Sequence, residues 1–213
     1  MGAPIYFAGD TETGGLLPEK QDLLTFYGGM YTEDWTLLEE LELKLKPNDG
    51  RLPNVEAGAL KVNGIDIHKH MADPKTVTYK EGNALLTAML RRHLSKNGRY
   101  SNLTPMFYNA PFDVGFLQKY VLPADEWGSI LHYKNLDPSQ AVDFLKRCGW
   151  LPKEVGTLVS MVEFFGIPKR NAHTAKDDSL MMIDVWKKLC EMMKSKQENG
   201  SGNQDLISLL EQE

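Results

Sequence analysis

The sequence predicts a mixed α/β fold in a single domain, because two different hydrophobic periods alternate along one chain. Short apolar runs come first: "IYFAG" at residues 5–9 and "LLTFYGGMY" at 23–31. Both are bounded by turn-forming or charged residues and are too short for core helices, so both read as strands. Residues 35–47 contain "ELELKLK", whose strict alternation describes a third strand with one face in solvent. The period then becomes helical. Leu86, Met89, Leu90 and His93 recur on one face of a helix expected over 83–94. "TPMFYN" at 104–109 reads as a returning strand, and Pro111 suits the first turn of a helix after it. Residues 156–165 and 175–196 read as further helices, with no internal repeat and no second core.

Composition sets the class. The chain has 213 residues, 42% apolar and 25% charged, enough for one substantial core. No apolar run nears the ~20 residues that a membrane-spanning helix needs. The start, "MGAPIYFAGD", lacks the basic and apolar regions of a signal peptide, and Tyr6 stands where myristoylation wants Ser or Thr. Cys148 and Cys190 are the only cysteines and both sit among helix formers, so no disulfide framework is expected. The expectation is a cytoplasmic protein with reduced thiols and no membrane partner. A net charge of −5 gives no global sign of nucleic-acid binding. It does not exclude it, since metal-binding carboxylates are themselves acidic and basic contacts can be local. Lys169, Arg170 and Lys176 flank His173 in this way.

Three stretches carry candidate chemistry. In "FAGDTETGGL" (7–16), Asp10 and Glu12 stand two apart on a strand, so both side chains leave the same face. Two such like charges repel unless a cation, a proton or a basic partner lies between them. In "YNAPFDVGFL", Asp113 heads an apolar stripe continued by Phe116, Leu117 and Tyr120. A carboxylate on a buried face needs a partner such as a metal, or it simply complements the helix dipole. In "NAHTAKDDSLMMIDVWKKL", Thr174 and Asp177 form a T-x-x-D capping pattern. Asp177 then continues into Asp184, Lys188, Glu191 and Ser195, a solvated face. Asp178 continues into Met181, Met182, Val185, Leu189 and Met192, a core face. Adjacent helix positions differ by ~100°, so Asp178 is the inward-facing acid and the candidate ligand.

Taken together, D-T-E-T-G-G-L, then Y-N-A-P-F-D-V-G-F-L, then H-T-A-K-D-D resembles the three motifs of the DEDD exonuclease superfamily. His173, five residues before Asp178, resembles the DEDDh branch, which includes the epsilon proofreading subunit, exonuclease X and ribonuclease T. The resemblance covers roughly residues 5–192. It implies a ribonuclease H-like fold, a mixed central sheet flanked by helices, and 3′-to-5′ exonuclease activity that releases nucleoside 5′-monophosphates. It implies that Asp10, Glu12, Asp113 and Asp178 hold two Mg²⁺ or Mn²⁺ ions about 3.5–4 Å apart and that His173 accepts a proton from the attacking water. Thr13, the backbone of Gly14 and Gly15, and the apolar wedge Leu16 match positions that meet the terminal nucleotide in relatives. "ALKVNGI" resembles a segment usually written A-x-x-V-H-G-I, with Asn63 in place of the His. Asn109 either reaches the phosphate or caps the helix at Pro111. Lys169 and Arg170 either track the strand backbone or are solvated.

The motifs do not separate deoxyribose from ribose substrates. The lean is to a DNA 3′ end, in proofreading, repair or degradation, because the sequence lacks the extra basic and aromatic clusters expected for RNA handling. The alternatives are an RNA 3′-exonuclease and, from another class, an inactive nucleic-acid-binding module. Composition turns polar and Gly-bearing in "SKQENGSGN" (195–203), which reads as a flexible linker after a domain spanning 1–194. In the tail "QDLISLL", Gln204 followed by Ile207, Leu209 and Leu210 resembles peptides that dock on bacterial sliding clamps. The alternatives are that Leu206, Leu209 and Leu210 pack back on the domain as a final helical turn, or that the tail is disordered.

Overall fold

A computed structural model describes residues 3–97, 100–170 and 173–199. The tail with Gln204 and Leu210 lies outside the described residues, and with it the expected clamp peptide. The chain opens with three long strands, β1 (Ile5–Thr13), β2 (Leu23–Tyr31) and β3 (Leu37–Lys46), paired antiparallel in succession. Two short helices, α1 (Ala57–Asn63) and α2 (Ile67–Ala72), lead to β4 (Thr76–Thr78), which lies parallel to β3. Then come α3 (Tyr79–His93) and a small ribbon of β5 (Lys96–Asn97) and β6 (Tyr100–Ser101). β7 (Leu103–Met106) returns parallel to β1, giving a mixed sheet ordered β4-β3-β2-β1-β7. Five helices follow: α4 (Ala110–Tyr120), α5 (Ala124–Ile130), α6 (Pro138–Arg147), α7 (Leu158–Phe164) and α8 (Ala175–Asn199).

Alternation along β1 divides the core between the two sheet faces. Phe7 packs with Phe26, Leu86, Phe107 and Phe116, so α3 and α4 cover one face. Ala8 packs with Tyr31, Met106, Met182 and Ile183, so α8 covers the other. Val142, Met161, Val162, Val185 and Leu189 then join α6 and α7 to α8. The expected mixed sheet flanked by helices in one domain is present. Among the described residues no helix is long and apolar enough to cross a membrane, and Cys148 and Cys190 are free thiols.

Several boundaries differ from the sequence expectation, each for a local reason. α3 begins at Tyr79 rather than residue 83, because Thr78 and Glu81 form a reciprocal capping box four residues upstream. β7 ends at Met106, three residues short of the expected strand, where the chain turns through a left-handed Asn109 (φ 64°) into α4. Residues 195–199 are helical rather than coil: Ser, Lys, Gln and Glu extend an established helix at little cost, whereas composition registers only the lack of apolar anchors. The helices α1, α2 and α5 are too short for sequence patterning to show, whereas α6 carries an amphipathic pattern and an Asp137-Pro138 start that the sequence reading missed.

Candidate active site

The site forms where β7 stops. β7 pairs with β1 only from Ile5 to Ala8, while β2 stays beside β1 through Thr13. From Gly9 onward one edge of β1 is open. Alternation sends Asp10 and Glu12 to the α8 side with Ala8, and Thr11 to the α4 side with Phe7. On the α8 side, Asp178 meets the pair. Each of the three half-buried acids places a carboxylate oxygen within 4.8 Å of the others. The rotation of α8 that achieves this is set by Met181, Met182, Val185 and Leu189, all buried. Asp177 is turned to the cap instead: Thr174 Oγ1 caps α8 by accepting the Asp177 N–H (3.2 Å) and donates to the Asp177 carboxylate (3.1 Å).

Asp113 comes from the other side. It is 3% exposed, and its Oδ1 accepts from the Thr11 N–H (2.9 Å) and the Thr11 hydroxyl (2.8 Å). That N–H is available because β7 has already ended, so no strand takes it. The four sequence-predicted acids are therefore arranged as three on one face of β1 and one held against its exposed edge. His173 lies in the turn before α8, exposed and in the left-handed region (φ 70°). Its charge and a backbone hydrogen bond both act on Asp178.

Electrostatics separates this cluster from an ordinary polar surface. Burial, then the charges of Asp113, Asp178 and Glu12, hold the Asp10 carboxyl well above the usual range. Burial, reinforced by Asp178 and Asp113, pushes Glu12 up to about 7. Asp113 is likewise pushed up to about 7 by burial, against the opposing pull of the Thr11 hydrogen bonds. Burial raises Asp178, opposed by His173. None of these influences is a lysine or an arginine. An all-carboxylate donor set that the chain leaves without its own cation fits a hard divalent metal such as Mg²⁺ or Mn²⁺.

Beside Glu12 opens a cavity of about 390 Å³ lined by Thr11, Thr13, Gly15, Leu16, Val62, Asn63 and Phe112, among others. Leu16 stands 76% exposed at its rim, with Val62, 60% exposed, also lining it. Asn63 braces the wall: its Nδ2 donates to the Thr13 carbonyl (3.1 Å) and its Oδ1 accepts from the Ile65 N–H (3.1 Å). Gly14 lies buried behind the cavity. Its N–H donates to the Asp22 carbonyl (2.8 Å) and its carbonyl accepts from Glu56 (2.7 Å). A Cβ at Gly14 would collide with the Asn54 carbonyl oxygen, so close backbone approach accounts for this glycine.

Asn109 does not cap α4: its side chain makes no cap bond. Asp137 does so instead, accepting from the N–H groups of Asn109 (3.0 Å) and Ala110 (2.9 Å). Sequence reading missed Asp137 in this role because the cap crosses from one helix start to another; the local Asp-Pro at α6 signals only its own N-terminus. Lys169 pairs with Glu163 (2.7 Å), Arg170 with Asp184 (3.0 Å) and Lys176 with Glu40 (2.7 Å). The local basic group is thus engaged within the fold. Phe112, Val62 and Glu56 also line the cavity without having been expected there.

No protein-family model matches the sequence, and no curated protein matches it either. Solved structures match by shape. Escherichia coli exonuclease I, in a zinc-bound complex with single-stranded DNA, superposes with a TM-score of 0.69 at 18% identity, over 92% of this chain and 41% of that one. The E. coli exonuclease I complex with a dT13 oligonucleotide gives 0.67 at 19% identity, over 92% and 43%. The fold is ribonuclease H-like. Exonuclease I from Methylocaldum szegediense gives 0.64 at 18% identity, over 86% of this chain and 39% of that one. The chain spans about two-fifths of the length of these exonucleases. The likeness is one of architecture.

Proposed function

We propose that the chain is a divalent-metal-dependent 3′-to-5′ exonuclease of the DEDDh type, acting on DNA 3′ ends and releasing nucleoside 5′-monophosphates. The observation that carries this reading is the meeting of Asp10, Glu12 and Asp178, from a strand and a helix at opposite ends of the sequence, within 4.8 Å of one another. The exonuclease I structures that share the fold hold single-stranded DNA, which supports DNA as the substrate class. Asp10, Glu12 and Asp178, with Asp113 across the strand edge, would hold Mg²⁺ or Mn²⁺. The metal supplies Lewis acidity at the phosphodiester and lowers the pKa of bound water.

The rest of the chemistry falls to the chain's own residues. Thr11 fixes Asp113 against β1 through two hydrogen bonds to one oxygen, so the fourth carboxylate is positioned before any ligand arrives. His173, exposed in the turn beside Asp178, takes the proton of the attacking water and returns it to solvent. Leu16, Val62 and Phe112 offer apolar surface to the terminal base, and Asn63 holds the wall that carries Thr13. Gln204 to Leu210 would add docking on a sliding clamp; a labelled peptide of residues 200–213 that shows no saturable binding to a bacterial clamp removes that part.

The test is incubation with 3′-labelled single-stranded DNA, duplex DNA and RNA of one sequence, with and without Mg²⁺. Mg²⁺-dependent release of mononucleotides from single-stranded DNA is expected. Faster trimming of RNA moves the substrate class to RNA. Binding without hydrolysis in every arm overturns the enzyme reading in favour of a nucleic-acid-binding module.

A further inference from the structure

Away from the carboxylates, at the other end of β1, the β5–β6 ribbon meets the segment that follows α5. The His132 N–H donates to the Leu103 carbonyl (2.7 Å), and Leu103 is the partner of Ile5 in β1. Five residues of strand separate Ile5 from Asp10, roughly 17 Å at the usual rise. Three aromatic rings gather here. His132 and Tyr133 stack at 4.6 Å between centroids with planes 28° apart, and Tyr100 lies 6.2 Å from His132 and 6.1 Å from Tyr133. Such area is normally buried. Here Tyr133 is 70% exposed and Tyr100 43%.

One lysine lies over a ring and a second stands on the neighbouring strand of the ribbon, opposite Ser101. Lys134 Nζ lies 5.8 Å from the Tyr133 centroid, and the Lys134 N–H donates to His132 Nδ1 (3.1 Å), which orients the imidazole in the stack. Lys96, on β5, is exposed. Residues 93–102 and 128–136 contain no aspartate or glutamate, in a chain of net charge −5.

We propose that Tyr100, His132 and Tyr133, with Lys134 and Lys96, form a second contact surface for single-stranded nucleic acid, separate from the carboxylate centre. The choice of ligand rests on the nuclease reading. Tyr133, 70% exposed and stacked on His132, offers a flat π-face to an unpaired base, and Lys134 beside it matches a phosphate; this combination is how sequence-independent single-strand sites are built. An aliphatic protein helix would meet no aliphatic anchors among these five side chains. The surface binds the strand upstream of the 3′ end and keeps it near the site between cleavages.

The experiment measures fluorescence anisotropy of labelled dT20 with the full chain in EDTA, so that hydrolysis does not intervene. Tyr133→Ala is expected to weaken binding about tenfold, and Tyr133→Phe, which keeps the ring, to restore it. Lys134→Ala is expected to weaken binding and to flatten its salt dependence. Melting curves of each variant are read alongside, since removing an exposed side chain leaves the fold intact. Absence of dT20 binding by the unsubstituted chain, affinity unchanged from it in Tyr133→Ala and Lys134→Ala, or a Tyr133→Phe as weak as Tyr133→Ala overturns the proposal. Hydrolysis is scored separately with Mg²⁺. A chain that binds through Tyr133 yet trims nothing refutes the nuclease reading and keeps the surface.

Discussion

The buried carboxylate in the turn after β1 and the cluster of carboxylates around β1 are treated in opposite ways in this chain. Asp22, fully buried, is satisfied by the chain itself. Arg51 reaches it with two nitrogens (2.7 and 3.1 Å), the Asn54 N–H donates at 2.6 Å and the Tyr79 hydroxyl at 3.2 Å. These contacts overcome the desolvation of Asp22 and hold its carboxyl below the ordinary value. Asp10, Glu12, Asp113 and Asp178 receive no arginine or lysine among their leading influences, and all four are raised. The Asp22 group closes the turn after β1 and would lose its purpose with any partner removed. The β1 group has no such internal cation and fits one from outside. Burying charge without an internal partner is costly, and that cost is what supports the proposed metal site at the second group.

The contrast can be broken first at Asp10. Asp10→Ala should bring Mg²⁺-dependent turnover down to background while raising the melting temperature of the metal-free protein, because it removes a ligand and a repelling charge together. Near-normal turnover in this variant would end the metal-site reading. His173→Ala should follow, lowering turnover by about 10²–10⁴-fold while leaving Mg²⁺ affinity, read by calorimetry, nearly unchanged. A parallel loss of metal affinity would make His173 a ligand rather than a base.

At Asp22 the expected outcome is reversed. Arg51→Ala should cost stability, about 3 kcal/mol by denaturant melts, the low end for a broken buried pair because Arg51 itself is 43% exposed. Turnover of the folded fraction should change little. If activity fell as far as in Asp10→Ala, the two groups would not be independent.

A pH titration sharpens the comparison without any substitution. Glu12 and Asp113 are pushed up to about 7 and Asp10 is raised as well, so the folded state binds more protons than the unfolded one up to that range. Stability of the metal-free protein therefore falls as pH rises from about 4, the unfolded carboxylate value, through about 7. Asp22 is depressed, so its contribution is present above the unfolded value and is lost only as pH falls below it. Thermal melts between about pH 5 and about pH 8 should report the β1 group against an opposite slope from buried His70, whose pKa burial lowers, and Mg²⁺ should flatten the β1 part. An identical metal-free profile in Asp10→Ala would show that these acids are not strained. The smallest effect belongs to Asp177→Asn, which should retain activity and lose at most about 1 kcal/mol through the cap. Asp178→Asn should be inactive, and the reverse order would mean that α8 is rotated from its observed setting.

The sequence by itself determined what depends on local periodicity. The alternation of β1 places Asp10 and Glu12 on one face, and the 3.6-residue period of α8 turns Asp178 inward and Asp177 outward. Backbone geometry imposes both wherever the elements form. The long strands were legible for the same reason. Only the tertiary structure decided which groups meet across distance. Asp113 is bound by Thr11, 102 residues away, because β7 ends at Met106 and leaves that N–H without a strand partner. Asp137, rather than Asn109, caps α4 because α6 starts beside it, and Tyr100 reaches Tyr133 because the ribbon and the segment after α5 share the start of β7. Where a strand ends, and which unpaired donor it leaves, is set by packing between elements, and no pattern within either element records it.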